Sequence, residues 1–353
     1  EIGSGLVGSE MCIRDRSYGS QAERRRNRMK RHGIKIGFLS AGLLVCAALA
    51  VLLWNRTLSK QEPYEIVLIQ KAMDDTDFWT SVYQGGEMAA QEYNAVLTAV
   101  GPEREQDVES QNQMILDAVA RKPDAIVLAP CSSDETLPYA RQIEEAGITL
   151  VLLDSTMEEE TGKAVVATDN YELGYKMGSY MKQFVEEDTV IGIVGHVQGS
   201  STATGREEGF RAGLGGSGDQ VAEIVFCDSD TERAYELTCG LLEKYPDMNM
   251  IVGLNEYSAV GAARAVKEQG LSDSIRMAGI DSSVEQIQLL EEGVYEALAI
   301  QKPFNMGYLG VETAVKLLEG EQVETYINSG SELITKENMY TEENQKLLFP
   351  VAE

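Results

Sequence analysis

The stretch IRMAGIDSSVEQIQLLEEGVYEALAIQKPF, residues 275–304, decides the fold. An apolar run ends in Gly279-Ile280-Asp281. An amphipathic helix follows, with Val284, Ile287, Leu289 and Leu290 set among acids. A second apolar run, Tyr295 to Ile300, then stops on Gln301-Lys302-Pro303. The pattern reads strand–helix–strand, and both strands end on a polar side chain. In open α/β sheets ligands sit at the carboxyl ends of strands, so Asp281 and Gln301 are expected to line a cleft.

The same rhythm extends outward in both directions. Apolar, β-rich runs occur at 65–70, 95–100, 125–129, 149–153 and 165–168, and again at 190–194, 221–226, 250–254, 275–278 and 295–300. Amphipathic stretches such as 78–93, 111–120 and 136–146 lie between them. Continuous apolar strands alternating with helices predict parallel sheets covered on both faces. Ten strands exceed one comfortable sheet, so the expected class is α/β with two lobes.

Bulk properties narrow the function. Apolar residues make up 43% and charged residues 25% of 353 positions, an ordinary globular balance. From Glu62 onward there are 19 basic and 53 acidic residues, a formal charge of −34. A body that acidic repels phosphate backbones, which argues against nucleic acid as a partner. Two histidines, His32 and His196, exclude a His-rich metal site. Five scattered cysteines without a CxxC argue against a disulfide framework and leave a Cys227–Cys239 bridge as the one pairing to check.

The amino-terminal region reads differently. Residues 1–16, with Met11-Cys-Ile-Arg-Asp-Arg16, look like a translated sequencing adapter rather than native protein, and are set aside from fold reasoning. Residues 17–35 are basic. Ile36–Trp54 then runs nineteen residues without a charge, which as a helix spans about 28 Å, close to a bilayer core. The cationic flank places the acidic body outside the cell. Cleaved signal, lipoprotein signal at Cys46 and uncleaved anchor compete here. The length of the span and the bulky residues before Cys46 favour an anchor, followed by a polar tether over 55–63.

Several strand ends carry candidate binding groups. Gln70 is followed at a short distance by Phe78-Trp79, adjacent aromatics that cannot share one helix face and can stack on the C–H face of a sugar ring. Asp154 ends the run 148–153, Asn255 follows 251–254, and Arg206 opens a helix in TATGREEGF. Each alone is an ordinary turn or surface residue. Together, planar Asp, Asn, Gln and Arg groups at successive strand ends suit neighbouring hydroxyls, with charge-assisted hydrogen bonds of about 1.5–3 kcal/mol each. The glycine-rich stretch 213–218 follows a helix and precedes a strand, the reverse of a phosphate loop, and reads as a connector. His196 lies near serines but without a GxSxG elbow, so a hydrolase is disfavoured and a loop at the cleft edge is expected.

On these residues the chain resembles the type I periplasmic sugar-binding proteins, the ribose- and allose-binding group in particular. The likeness runs over about residues 64–340. It is carried by Phe78-Trp79, Asp124-Ala-Ile-Val-Leu-Ala-Pro130, Asp154, Ala167-Thr-Asp-Asn170, Arg206-Glu-Glu-Gly-Phe210, Asn255, Gly279-Ile-Asp281 and Gln301-Lys-Pro303. The resemblance implies two Rossmann-like lobes, residues 64–168 with 302–329 and 169–301 with 330–353, joined by a three-crossover hinge near 168–171, 301–302 and 329–331. It implies a ligand site on Phe78, Trp79, Asp154, Arg206, Asn255, Asp281 and Gln301, with no cofactor, metal or catalytic residue. Ser155 stands where the ribose-type pattern has arginine, Asp75 lies in an altered lead-in, and Asp230 aligns where an aromatic would cover the sugar. These three are further candidates, and they point to a differently hydroxylated sugar, a polyol or an amine-bearing ligand. The implied partner is an ABC permease, or alternatively a membrane sensor kinase that reads the closed form. Repressors that share the fold carry a helix-turn-helix, whose place is taken here by the apolar span.

Overall fold

In the computed structural model, residues 62–74 and 76–349 are described. The expected leader, basic segment, apolar span and most of the tether lie outside the described residues, as does Asp75. Among the described residues, no helix is long and apolar enough to cross a membrane.

The first sheet combines β1 (Tyr64–Ile69), β2 (Ala95–Val100), β3 (Ala125–Leu128), β4 (Thr149–Leu153) and β5 (Ala164–Ala167) with the late strand β11 (Tyr326–Asn328). Their order is β11-β5-β4-β3-β1-β2, with every neighbouring pair parallel. The second sheet holds β6 (Ile191–Gly195), β7 (Val221–Phe226), β8 (Met250–Gly253), β9 (Arg276–Ile280), β10 (Tyr295–Gln301) and β12 (Ser331–Thr335). Its order is β12-β10-β9-β8-β6-β7, and only β12 runs antiparallel. Helices α1 (Asp77–Glu92), α2 (Val108–Arg121), α3 (Leu137–Glu145) and α9 (Pro303–Leu318) belong with the first sheet. Helices α4 (Asn170–Met181), α5 (Ser201–Leu214), α6 (Thr231–Lys244), α7 (Glu256–Glu268), α8 (Val284–Glu292) and α10 (Glu342–Leu348) belong with the second.

The apolar runs explain the layering. On β1, Ile66 and Leu68 pack with Trp79, Val82, Val311 and Ala314, while Val67 and Ile69 pack with Ile115 and Ile143 on the opposite face. On β8, Ile251 joins one core and Met250 and Val252 the other. A strand buried on both faces must be apolar at consecutive positions, and a parallel sheet between helix layers provides that. The two-lobe α/β expectation therefore holds. Strands β11 and β12 are additions to it. They are too short and too polar to stand out from the apolar pattern, and they are recognisable only by where the chain recrosses.

The chain passes between sheets three times: from β5 to α4, from β10 into α9, and from β11 to β12. Thr168 and Ser329 hydroxyls lie 3.1 Å apart, tying the first and third crossings together. The Cys227–Cys239 pairing is not formed. Cys131, Cys227 and Cys239 are all free thiols. Cys227 is buried in the core, and the Cys239 sulfur accepts from Gln269 Nε2 at 3.3 Å.

Candidate functional site

The polar side chains predicted from strand ends converge. Phe78, Trp79, Asp154, Arg206, Asn255, Asp281 and Gln301 all line one cavity between the lobes. Asp154 follows β4 and Asp281 follows β9, which hold matching places in the two sheet orders. Both take left-handed backbone angles, φ 63° and 78°. Aspartate tolerates that region better than most residues, and a strained residue at a strand end is held only by well-determined surroundings.

In the first lobe, Lys71 comes one residue after Gln70. Its Nζ donates to Asp154 Oδ2 at 2.6 Å and Ser155 Oγ at 2.5 Å. Both charges are buried. Burial alone would raise the Asp154 carboxyl, but Lys71 and Arg206 outweigh it and hold its pKa below the ordinary value. Burial likewise opposes charge on Lys71, and Asp154 and Glu105 outweigh that in turn, so the ammonium titrates higher than usual. The two results agree: the pair is ionised. Phe78 and Trp79 meet edge to face, with ring centroids 5.0 Å apart.

In the second lobe, close helix packing sets Arg206. A Cβ added at Gly174 of α4 would lie 2.1 Å from the Arg206 carbonyl oxygen, and one at Gly209 of α5 would lie 2.1 Å from that of Tyr171. The two helices touch backbone to backbone only because both positions lack a side chain. The Arg206 guanidinium is then fixed by Nε donating to Asn170 Oδ1 and Nη1 donating to the Leu254 carbonyl, each at 2.8 Å. Asn255 caps α7: its Oδ1 accepts from Ser258 N, and its own N–H donates to Ser258 Oγ. Gln301, the last residue of β10, donates through Nε2 to Asp281 Oδ1 at 2.8 Å, and Glu256 N donates to Asp281 Oδ2 at 2.9 Å. Burial raises the Asp281 pKa, and Arg206 and Gln301 offset this only in part.

The structure adds groups that strand-end reasoning passed over. Lys71 is one. Glu105, in the loop after β2, accepts from Trp79 Nε1 at 3.2 Å and from Ser229 Oγ at 2.6 Å. Tyr257, in the first turn of α7, hydrogen-bonds Asp74 across the cleft. The same rule could have found the first two, since each lies just beyond a strand end. His196 also lines the cavity. Burial, reinforced by Arg206 and Lys71, drives its pKa well below 6.5, so the ring is neutral. Its Nε2 lies 2.8 Å from Thr202 Oγ1, and its buried Nδ1 has no partner among the described residues. No carboxylate orients it as a triad would require.

Two further candidates sit apart from the cavity lining. The Ser155 hydroxyl is taken up by Lys71 and Asp154, and Ser155 is not among the residues lining the cavity. Asp230 caps α6 through Arg233 N and faces Arg104 at 3.8 Å, so it belongs to the rim rather than the cavity.

The lobes are closed on each other. Besides Glu105–Ser229 and Asp74–Tyr257, Val284 N donates to Asp77 Oδ2 at 3.0 Å across the gap. The cavity is correspondingly narrow, about 30 Å³.

Two doubly wound lobes joined by three crossings, with polar groups from both meeting in the cleft, define the type I periplasmic binding proteins. A family model described as a periplasmic binding protein domain matches residues 66–322, and the chain belongs to that family. It is 44% identical to a solved structure described as a sugar transporter from Clostridium phytofermentans, with a TM-score of 0.73, over 78% of this chain and 99% of that one. It is 31% identical to an ABC transporter solute-binding protein from Agrobacterium vitis with bound D-fucose, with a TM-score of 0.77, over 80% of this chain and 99% of that one. The D-ribose/D-allose-binding protein of Pseudomonas aeruginosa is 25% identical over 272 residues, covering 74% of this chain and 85% of that protein. The family resemblance read from the sequence is met.

Proposed function

We propose that this protein is an extracytoplasmic receptor that captures a small sugar or sugar-like ligand between its lobes and presents it to an ABC permease. The observation that carries this reading is the convergence, from two separate sheets, of planar hydrogen-bonding groups and an aromatic pair on one cavity. Carboxylates, amides and guanidinium groups match vicinal hydroxyls, and rings such as Phe78 and Trp79 match the apolar face of a sugar. The similarity to a sugar transporter and to a solute-binding protein with bound D-fucose, each over nearly the whole folded body, supports the same reading.

Capture works by selection. A ligand that touches Asp154 in one lobe and Arg206, Asn255 and Asp281 in the other binds only the closed form well, and shifts the hinge equilibrium by that difference. No chemical step is needed; the cleft binds and releases. The site differs from a ribose-type arrangement in its source of positive charge. With Ser155 beside Asp154, Lys71 from the end of β1, two strands away in the sheet, provides the cation. An ammonium on a flexible stem orients hydroxyls less strictly than an arginine fork, which favours a sugar of different hydroxyl pattern from ribose. The apolar span at Ile36–Trp54 would hold the receptor at the outer membrane face, near its permease.

A thermal-shift screen against pentoses, hexoses, 6-deoxyhexoses and polyols tests the proposal. A ligand at 100 times its Kd stabilises by about 2.7 kcal/mol. A hit abolished by Arg206→Ala is the expected result. A folded protein that responds to no sugar or polyol, but to an amino acid or peptide, would contradict it.

A further inference from the structure

A second cavity of about 570 Å³ opens beside the first. Both are lined by Phe78, Glu256, Asp281 and Gln301, so the two are contiguous through four shared residues. We propose that this outer cavity is a second sugar subsite, so that the receptor takes a disaccharide or glycoside whose one ring enters the inner cleft while the other rests outside. This inference builds on the sugar-binding reading above.

The lining has the right chemistry. Gln84 on α1 and Asn305 on α9 offer amides, Ser282 a hydroxyl, and Phe304 and Phe349 offer ring faces. Lys302 pairs with Glu332 at 3.0 Å, Lys346 with Glu342 at 2.8 Å, and Asp77 accepts from Val284 N, while the carboxyl groups of Asp281 and Glu256 line the junction with the inner cleft. The remaining surface suits a neutral, hydroxylated group with an apolar face. Two acceptors also lack partners among the described residues. Gln301 is 5% exposed and lines both cavities, yet its Oε1 is buried without a hydrogen bond, and so is Gln84 Oε1. A buried amide oxygen without a donor is costly, and each of these belongs to a residue that lines the cavity, where a side-chain rotation would bring it to a donor. Sugar hydroxyls donate.

The fold builds the cavity firmly. A Cβ at Gly85 would lie 1.9 Å from the Phe304 carbonyl oxygen, so α1 and the start of α9 are in backbone contact. That contact sets Gln84 beside Phe304. Val284, apolar in a helix that looked core-facing, is instead 54% exposed and lines this cavity.

Titration calorimetry on the full chain tests the idea, comparing D-galactose with lactose and melibiose, and D-glucose with maltose and cellobiose. At least one disaccharide is expected to bind about tenfold or more tighter than its monosaccharide, the ratio that one further good contact sets. Thr80→Trp, at an exposed position on the cavity wall, should remove that advantage and leave monosaccharide binding unchanged. Phe304→Ala should reduce it, with circular dichroism checking the fold of both variants. Monosaccharides binding while every disaccharide is excluded, or an advantage that survives Thr80→Trp, would overturn this proposal alone. No binding of either class would overturn it together with the sugar-binding reading.

Discussion

The two lobes end matching strands in the same residue type and then treat it in opposite ways. Asp154 and Asp281 are both buried and both held at positive φ. Asp154 faces an ammonium at 2.6 Å, and its pKa falls. Asp281 receives an amide and a backbone N–H, its nearest guanidinium is committed to Asn170 and Leu254, and its pKa rises. The first lobe thus carries its own neutralisation. The second presents a carboxylate whose charge is poorly compensated until hydroxyl donors arrive. On the proposed reading, both aspartates meet the ligand, the first already held by a cation of its own lobe and the second without one.

The sharpest way to break this contrast is to remove the cation. Lys71→Met leaves Asp154 buried without its partner, a change that typically costs about 3–5 kcal/mol. Urea denaturation should show a loss of that size, and Lys71→Met with Asp154→Leu together should recover most of it. A double variant as unstable as the sum of the two single changes would show that the pair is not one coupled unit.

A smaller effect is expected where the second lobe fixes its arginine. Gly209→Ala places a methyl group against the Tyr171 carbonyl and should cost about 1–3 kcal/mol, as overpacking does. Sugar affinity should fall beyond the stability loss, because Arg206 moves with the helix. Unchanged melting and unchanged affinity would remove helix contact as the device that positions Arg206.

A further effect is in pH. Burial, followed by Asp281, Asp77 and Asp74, pushes Glu256 up to about 8 from 4.5. The folded state then holds a proton that the unfolded chain releases, so stability falls as pH rises from 4.5 to 8. Glu256→Gln should flatten the melting temperature over that range. A variant that loses as much as the wild type between pH 5 and 8 would place the slope elsewhere. Asp154 behaves inversely. Its lowered pKa stabilises above the ordinary carboxylate range, and that contribution is lost as pH falls through the folded value.

Much of this was legible before any coordinates. Continuous apolar runs located ten strands, and the rule that ligands meet strand ends located Asp154, Asp281 and Gln301. What escaped depends on direction rather than position. Alternation along a strand sends Asp154 and Ser155 to opposite faces, yet both hydrogen-bond one Lys71 Nζ because the backbone turns to φ 63° at Asp154. Tyr257 acts across the gap between lobes, and no spacing within one element encodes such a meeting. Asp230 is ambiguous from sequence because an aspartate before a helix serves equally well as a cap, the place the structure gives it.

The account rests on a ligand gripped by both lobes, and calorimetric titration of the sugar found in the screen tests that most directly, using Asp281→Asn in one lobe and Phe78→Ala in the other. Each single variant should stay folded and bind about 10- to 100-fold more weakly, the range expected for losing one charged hydrogen bond or one stacking face. Wild-type affinity in either variant would mean that one lobe holds the ligand alone, and the closing mechanism would be wrong.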